Sequence, residues 1–175
     1  HLDAGGQALW DGNGIPLAAA AFDQNWPVMI ADGQGGVIIA WNDLRNHDLG
    51  TGLDIYAQRL AADGTALWPA GGVAVVGAES GQRNPALLAD GSGGLLIAWE
   101  DYRNDDLDND MTWDVYAGRV TAAGAVAWEV PLIRAIYTQD QVAVVADGAG
   151  GMLVFWQDGR DLGNPDIYGS RVTGD

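Results

Sequence analysis

Carboxylates are concentrated in one loop of the sequence, at residues 100–110. The segment reads Glu-Asp-Tyr-Arg-Asn-Asp-Asp-Leu-Asp-Asn-Asp. Flexible loops of this kind bind Ca²⁺ through roughly 6–8 oxygen ligands, although the spacing here is not that of an EF-hand. Two interpretations stay open, a calcium site and an acidic loop that solvent and Arg103 neutralise. The calcium ligands would be Asp105, Asp106, Asp108 and Asp110.

Aromatic residues near this loop could bind a sugar. Trp113 follows the acidic segment, Tyr102 lies inside it, and Trp26 precedes Pro27 in an earlier part of the chain. An indole has a broad apolar face and one polar edge, so it can stack on a sugar ring or pack in a core. We therefore treat Trp113, Trp26 and Tyr102 as candidate ligand-binding residues, with core or edge packing as the alternative.

Six of the eight arginines recur at two positions of a repeated pattern, which is typical of a structural role. The first position closes an Asp-x-Arg motif, and the second ends an Asp-Ile-Tyr type of strand. We expect neighbouring aspartates to hold these guanidinium groups by charge-assisted hydrogen bonds, with an anionic-ligand site as the alternative. The arginines are Arg45, Arg103, Arg160, Arg59, Arg119 and Arg171, and the aspartates are Asp43, Asp101, Asp158, Asp54, Asp114 and Asp166.

Signatures of catalysis are sparse. His47 is the only histidine after the first residue, and cysteine is absent, so no zinc cluster or cysteine nucleophile is indicated. No Gly-x-Ser-x-Gly elbow occurs. Carboxylate pairs are too numerous to identify a glycosidase. We therefore assign no catalytic residue and expect the chain not to be an enzyme.

These candidate residues are carried by a threefold repeat. One hairpin phrase, Asp-Gly-x-Gly-Gly followed by an apolar strand that ends in Trp, begins at Asp32, Asp90 and Asp147, with spacings of 58 and 57 residues. Adjacent glycines supply the positive φ that a short hairpin requires. The repeat units are residues 1–58, 59–118 and 119–175.

Each unit is expected to contain four short antiparallel strands, of which the inner two are apolar on both faces. A short Trp-ended strand such as Gln7–Trp10 would be one of them, and Gly71–Val76 would be a connection. Sheets of this kind stack into a β-propeller, with a β-sandwich as the alternative. Six tryptophans would pack between the blades: Trp41, Trp99, Trp156, Trp10, Trp68 and Trp128.

Composition excludes some partners and leaves others. The formal net charge of −16 argues against nucleic acid and anionic membranes as partners. No apolar run reaches the ~18 residues of a membrane-spanning helix. The chain starts inside a repeat, as a mature or excised segment would, and we expect an extracellular or cell-surface location.

The pattern Gly-Gly-x-x-x-Ala-Trp-x-Asp-x-Arg, followed by Asp-Ile-Tyr-Ala-Gln-Arg, resembles propeller-type repeats of secreted or surface bacterial proteins. The resemblance covers essentially the whole chain and implies a propeller fold and extracellular residence, but no catalytic residue. Repeat 3 departs most from the pattern, with Phe155, Gly159 and Ser170 at otherwise repeated positions.

Together these features lead us to expect a non-catalytic extracellular module for protein–protein interaction, adhesion or assembly of a surface structure. A carbohydrate-binding, lectin-like propeller and a propeller glycoside hydrolase are the alternatives. We also expect the three blades to be completed either by another chain or by more repeats. Another chain could join head to tail, because Gln7–Trp10 could supply the fourth strand that the last unit lacks after Arg171.

Overall fold

The computed structural model describes residues 1–49, 52–103, 112–161 and 164–174. Over these ranges the chain forms strands and one short 3₁₀ turn at His47–Leu49. The strands are β1 (Gln24–Ala31), β2 (Val37–Asp43), β3 (Asp54–Leu60), β4 (Val73–Val76), β5 (Gln82–Ala89), β6 (Leu95–Asp101), β7 (Asp114–Val120), β8 (Val126–Ile133), β9 (Gln139–Ala146), β10 (Met152–Asp158) and β11 (Asp166–Val172).

The strands form three antiparallel sheets in sequence order, which we call blades. Blade 1 is β1-β2-β3-β4, blade 2 is β5-β6-β7-β8, and blade 3 is β9-β10-β11 over the described residues. The first strands of the blades, β1, β5 and β9, lie innermost and contact one another in turn. The all-β, propeller-like architecture predicted from the repeats is confirmed.

The hairpin phrase folds as its residues require. The carboxylate of Asp32 accepts hydrogen bonds from the backbone N–H groups of Gln34 and Gly36, at 2.8 and 2.7 Å. Gly33 and Gly35 have φ angles of +75° and +89°. A Cβ atom on Gly36 would collide with the carbonyl oxygen of Leu60, so only glycine fits there. The turn therefore fixes the register of β1 against β2.

Two apolar cores lie between the blades. Ile38 and Ile55 of blade 1 pack against Ile97 and Trp99 of blade 2, and Trp99 is fully buried. On the other face of blade 2, Leu96 belongs to a second cluster with residues of blade 3, including Met152, Val154 and Trp156. Blade 2 is therefore covered on both faces, as its continuous apolar strands predicted.

The fourth strand of blade 1 is not the expected Trp-ended segment. Val73–Val76 pairs with β3, whereas Ala66 makes a single bridge to Leu60. Trp68 lies outside any strand and is buried in the core between blades 1 and 2. Gly71 and Gly72 have φ angles of +82° and +84°, so the chain turns after Trp68 and β4 begins only at Val73.

The first 23 residues contain no strand either. Their only β pairing is a single bridge between Leu2 and Ala8. Blade 2 differs, because β8 runs without a Gly-Gly break from Val126 through Trp128 to Ile133. No helix among the described residues is long and apolar enough to cross a membrane.

Candidate functional site

The Asp-x-Arg motif forms a pin at the same corner of each blade. Asp43 is fully buried and accepts hydrogen bonds from the indole N–H of Trp41 at 2.8 Å and from the Arg45 guanidinium at 2.9 and 2.6 Å. The guanidinium carbon of Arg45 lies 3.8 Å from the ring centre of Tyr56. Blades 2 and 3 repeat the arrangement with Trp99, Asp101, Arg103, Tyr116, and Trp156, Asp158, Arg160, Tyr168.

In blades 1 and 3 the pin lowers the pKa of its carboxylate. Burial alone would raise the pKa of Asp43, but the hydrogen bonds from Arg45 and Trp41 outweigh it and hold the pKa below its ordinary value. Asp158 shows the same balance with Arg160 and Trp156. Groups tied so fully to neighbouring residues serve the scaffold.

The second set of arginines pairs with the hairpin aspartates instead of the aspartates that begin the strands. Arg59 donates to Asp32 at 2.8 Å, because the register places the end of β3 beside the β1–β2 turn. Asp54 accepts a hydrogen bond from the amide of Asn46 at 2.8 Å. The matching pairs are Arg119 with Asp90 and Arg171 with Asp147, while Asp114 accepts from the N–H of Ala135 and Asp166 is exposed.

A β-bulge interrupts the first strand of every blade near this corner. The third residue of each strand has a positive φ although it is not glycine: +50° for Trp26, +53° for Asn84 and +55° for Gln141. Strand pairing shifts at the same points. Such backbone costs roughly 1–3 kcal/mol per residue, and bulges beside sites re-aim side chains. The bulges therefore mark the candidate site.

A glutamine that is identical in all three blades supports each bulge. The side-chain amide of Gln139 donates to the carbonyl oxygens of Ile136 and Tyr137, at 3.3 and 2.7 Å. Gln24 and Gln82 bind the preceding loop in the same way. The strained backbone is thus held by the scaffold and not by a ligand.

Charged groups meet between the bulges of blades 2 and 3. Glu100 is 1% exposed and accepts hydrogen bonds from Arg83 at 2.8 Å, from Asn84 at 2.9 Å and from the N–H of Gln141 at 2.9 Å. Burial raises the pKa of Asp140, and the charge of Glu100 raises it further, while Arg83 opposes both. Asp140 is therefore a carboxylic acid that keeps its proton to higher pH than an ordinary aspartate.

Two of the three candidate aromatic residues lie against this charged cluster. The guanidinium carbon of Arg83 is 3.8 Å from the ring centre of Trp113, and the rings of Trp113 and Tyr102 are 5.0 Å apart. Both aromatic side chains are half-buried. The carbonyl oxygen of Trp113 accepts from the N–H of Gln139 at 2.6 Å, which ties it to the bulged strand of blade 3.

Trp26 lies apart from that pair, at the bulge of blade 1, and is 63% exposed. In blades 2 and 3 the residue at this position is an amide that bonds the facing strand, as Gln141 does to Gln157 at 3.1 Å. Trp26 has an indole in place of that amide, and the side chain of the facing Asn42 is fully buried with neither polar atom hydrogen-bonded to a described residue. Blade 1 thus carries an exposed indole where its neighbours carry a structural amide.

The residues Arg83, Asn84, Glu100, Asp140 and Gln141 were not identified from the sequence. Alignment of the repeats on the shared glutamine would have found Arg83, Asn84, Asp140 and Gln141, because the two positions after it differ in every unit, but not Glu100, which follows Trp99. The calcium candidates Asp105, Asp106, Asp108 and Asp110 lie outside the described residues. Within the described part of the chain, no group of three or more His, Asp or Glu side chains could hold a metal.

Comparison with known proteins finds similarity at the level of structure. No family model and no curated protein matches the sequence. An endo-arabinase from Bacteroides thetaiotaomicron superposes with a TM-score of 0.52 and 15% identity, over 83% of this chain and 55% of that one. An α-L-arabinanase from Penicillium chrysogenum, complexed with arabinobiose, gives 0.50 and 13%, over 84% and 44%. The chain thus spans about half the length of these structures.

At these identities the likeness establishes the propeller fold alone. The finer resemblance, to repeats of secreted or surface bacterial proteins, stays a prediction. The expectation of a non-catalytic interaction module that is not an enzyme is wrong on this comparison, because both similar structures are carbohydrate-degrading enzymes. The carbohydrate-active alternatives are better supported.

Proposed function

We propose that this chain is part of a carbohydrate-active propeller that hydrolyses glycosidic bonds. The reaction would take place beside the β-bulges of the first strands of the blades, β1, β5 and β9. The observation that carries the proposal is Asp140, an acid with a raised pKa beside the buried carboxylate of Glu100. Hydrolysis of a glycoside takes two carboxyl groups, one that protonates the leaving oxygen as the glycosidic bond breaks and one that activates the attacking water or attacks the sugar carbon itself. A carboxylic acid with a raised pKa is suited to the first role, which is the one we assign to Asp140.

Glu100 has a different role. Its carboxylate oxygens are already engaged by hydrogen bonds from Arg83, Asn84 and Gln141. Its charge disfavours ionisation of Asp140, as one carboxylate does to another nearby. Glu100 is therefore a positioning residue whose charge raises the pKa of Asp140.

The aromatic residues would bind the sugar. Trp26 exposes its indole, and exposed aromatic faces stack on the apolar faces of sugar rings. Trp113 and Tyr102 form a half-buried wall over Arg83. Arabinan is the first substrate to test, because the similar structures are an endo-arabinase and an arabinanase. A polysaccharide substrate also accords with the extracellular location expected from the sequence.

The experiment is a turnover assay that measures reducing ends released from arabinan and from a panel of other polysaccharides. Wild type should release them, and Asp140→Asn should reduce the rate at least ~100-fold, since positioned acids contribute about 10²–10⁴-fold. Asp161→Asn changes an exposed aspartate outside the cluster and is the matched control, with wild-type turnover expected. Binding of glycans by wild type without any turnover, or full turnover by Asp140→Asn, would contradict the proposal.

A further inference from the structure

The free face of blade 3 has the composition of a face between blades. Val145, Phe155 and Ile167 lie on it and are 53%, 44% and 74% exposed. Their equivalents in blade 1, counted from the hairpin and the Asp-Ile-Tyr motif, are Ile30, Ala40 and Ile55. Those three pack in the core between blades 1 and 2. Blade 3 therefore exposes an apolar surface whose equivalents in blades 1 and 2 are buried against the next blade.

Phe155 is fitted to this surface. It pairs across the ladder with Gly169, at positions that both hold alanine in blades 1 and 2. A Cβ atom on Gly169 would lie 2.5 Å from the Phe155 ring, so glycine makes room for the larger side chain. Phe155 and Gly169 thus form a matched pair that raises an aromatic ring above the face.

The opposite end of the molecule carries a complementary cavity. A space of about 660 Å³ opens on the outer face of blade 1, lined among others by Met29, Val37, Ile39 and Leu60. Trp10, Ile15 and Leu17 cover part of this face. These three correspond to Trp68, Val73 and Val75, which cover the same part of blade 2.

The interface between blades 1 and 2 shows what fills such a cavity. There the residues equivalent to the cavity lining pack against blade 1, the preceding blade. They are Leu87, Leu95, Ile97 and Val120. The preceding blade contributes Ile30, Ile38 and Ile55 to that contact. In blade 3 the same positions are Val145, Leu153 and Ile167.

We propose that a second copy of this chain docks head to tail, with the free face of blade 3 seated in the cavity of blade 1 of the other copy. Residues 15–18 would then pair with the free edge of β11, as Val73–Val76 pairs with β3. Two copies of residues 1–175 supply six blades, within the ~4–8 that close a propeller. The contact is heterologous, since two different faces meet.

The docking would also bring together residues beside the bulges that have no neighbouring blade in the single copy. Gln141 of blade 3 donates its N–H to Glu100 of blade 2. By the same repeat, the residue that meets Gln157 and Asp140 of blade 3 is Trp26 of the second copy. The exposed indole and the acid with the raised pKa would then face one another across the new seam. The docking itself does not rest on the proposed function.

Light scattering on the chain of residues 1–175 tests the docking. Wild type should have the mass of a pair or a larger assembly, more so in added salt, because each copy carries a charge of −16 that salt screens. Phe155→Asp, Ile167→Asp and Met29→Asp should each give folded monomers, since all three side chains are exposed in the single copy. Leu49→Asp, at a residue 78% exposed and on neither face, is the control and should associate as wild type does.

A mixture of two variants makes the test specific for a head-to-tail contact. Phe155→Asp keeps an intact blade 1 face, and Met29→Asp keeps an intact blade 3 face. The mixture should therefore form a one-to-one pair although each variant alone is monomeric. A monomeric wild type at high protein and salt concentration, association that survives both substitutions, or a mixture that stays monomeric would overturn the proposal.

Discussion

Two neighbouring rungs of the same β-ladder differ in how strictly the blades repeat them. The first rung pairs glutamine with aspartate in every blade, as in Gln82 with Asp101. The next rung pairs Asn25 with Asn42 in blade 1, but Arg83 with Glu100 in blade 2. In blade 3 it pairs Asp140 with Gln157. The repeat thus preserves what the fold needs and varies the positions one residue away.

The difference explains how a strained site persists on a repeated scaffold. The constant glutamine anchors the loop before each bulge, so the residue after the variable rung keeps a positive φ whatever its side chain. Strained backbone is stable only where its surroundings over-determine it. The hydrogen bonds of the constant glutamine therefore offset the cost of the strained backbone, so the side chains of the variable rung can differ between blades.

The largest effect is expected at a scaffold residue. Trp99→Ala should lower the free energy of unfolding by ~3–5 kcal/mol, because a fully buried indole is removed from a core that cannot collapse around it. Trp113→Ala, at a residue that contacts Arg83 of the variable rung, should cost much less, since that ring is half-buried. Urea unfolding of both variants measures the contrast, and equal losses would contradict the distinction between a scaffold tryptophan and a site tryptophan.

A smaller loss is expected when the constant rung is broken. Asp101→Ala should cost about 3 kcal/mol, because Trp99 and Arg103 lose their acceptor in a buried position. Glu100→Gln changes the adjacent, variable residue. It keeps one acceptor oxygen, loses the other and relieves repulsion with Asp140, so it should cost less than Asp101→Ala. The distinction between the rungs fails if denaturant midpoints rank these two variants in the opposite order.

Trp26→Asn should increase stability by about 1 kcal/mol. Asparagine tolerates positive φ better than tryptophan and, as Asn84 does in blade 2, could bond the facing residue, here the buried Asn42. Glycan binding should weaken in the same variant. Calorimetry and a glycan titration check both effects. Gln141→Asn, which keeps an amide at the matching position, is the control for stability; a Trp26→Asn protein that is less stable than wild type would show that the indole serves packing.

The smallest effect is a difference in pH dependence. The pKa values of Asp43, Asp90 and Asp158 are lowered in the fold, so their stabilisation is complete above the ordinary pKa near ~3.9 and is lost as pH falls through the lowered values. The pKa of Asp140 is raised, so the stabilisation from its proton is present at low pH and is lost as pH rises.

Thermal unfolding across pH should therefore show wild type and Asp140→Asn converging in acid, with the variant slightly more stable at neutral pH. A variant that is less stable than wild type at neutral pH would mean that the ionised Asp140 is a stabilising group, like the scaffold aspartates.

The sequence was sufficient for the parts of the fold that depend on local chemistry. Adjacent glycines after Asp32 predict a tight turn, and Gly36 is required there because a Cβ atom would strike the chain. Continuous apolar strands around Trp99 predict burial on both faces, which blade 2 has. The period of the hairpins then predicts blades.

The site could not be predicted in the same way, because it depends on tertiary register. Neither tryptophan nor glutamine is a residue type that favours a positive φ, so the sequence gives no sign of the φ angles that the bulge imposes on Trp26 and Gln141. The pairing of Arg59 with Asp32 follows from strand register and not from proximity in sequence. Asp140 resembled the many other aspartates until the structure brought Glu100 beside it.

The central claim is that Asp140 is an acid with a raised pKa in a carbohydrate site. An NMR titration of its carboxyl carbon, with and without an arabinan oligosaccharide, tests this most directly. We predict a pKa above the ordinary aspartate value, a further shift when the sugar binds, and a lower pKa in Glu100→Gln. A pKa at or below the ordinary value that neither the sugar nor Glu100→Gln alters would contradict the account.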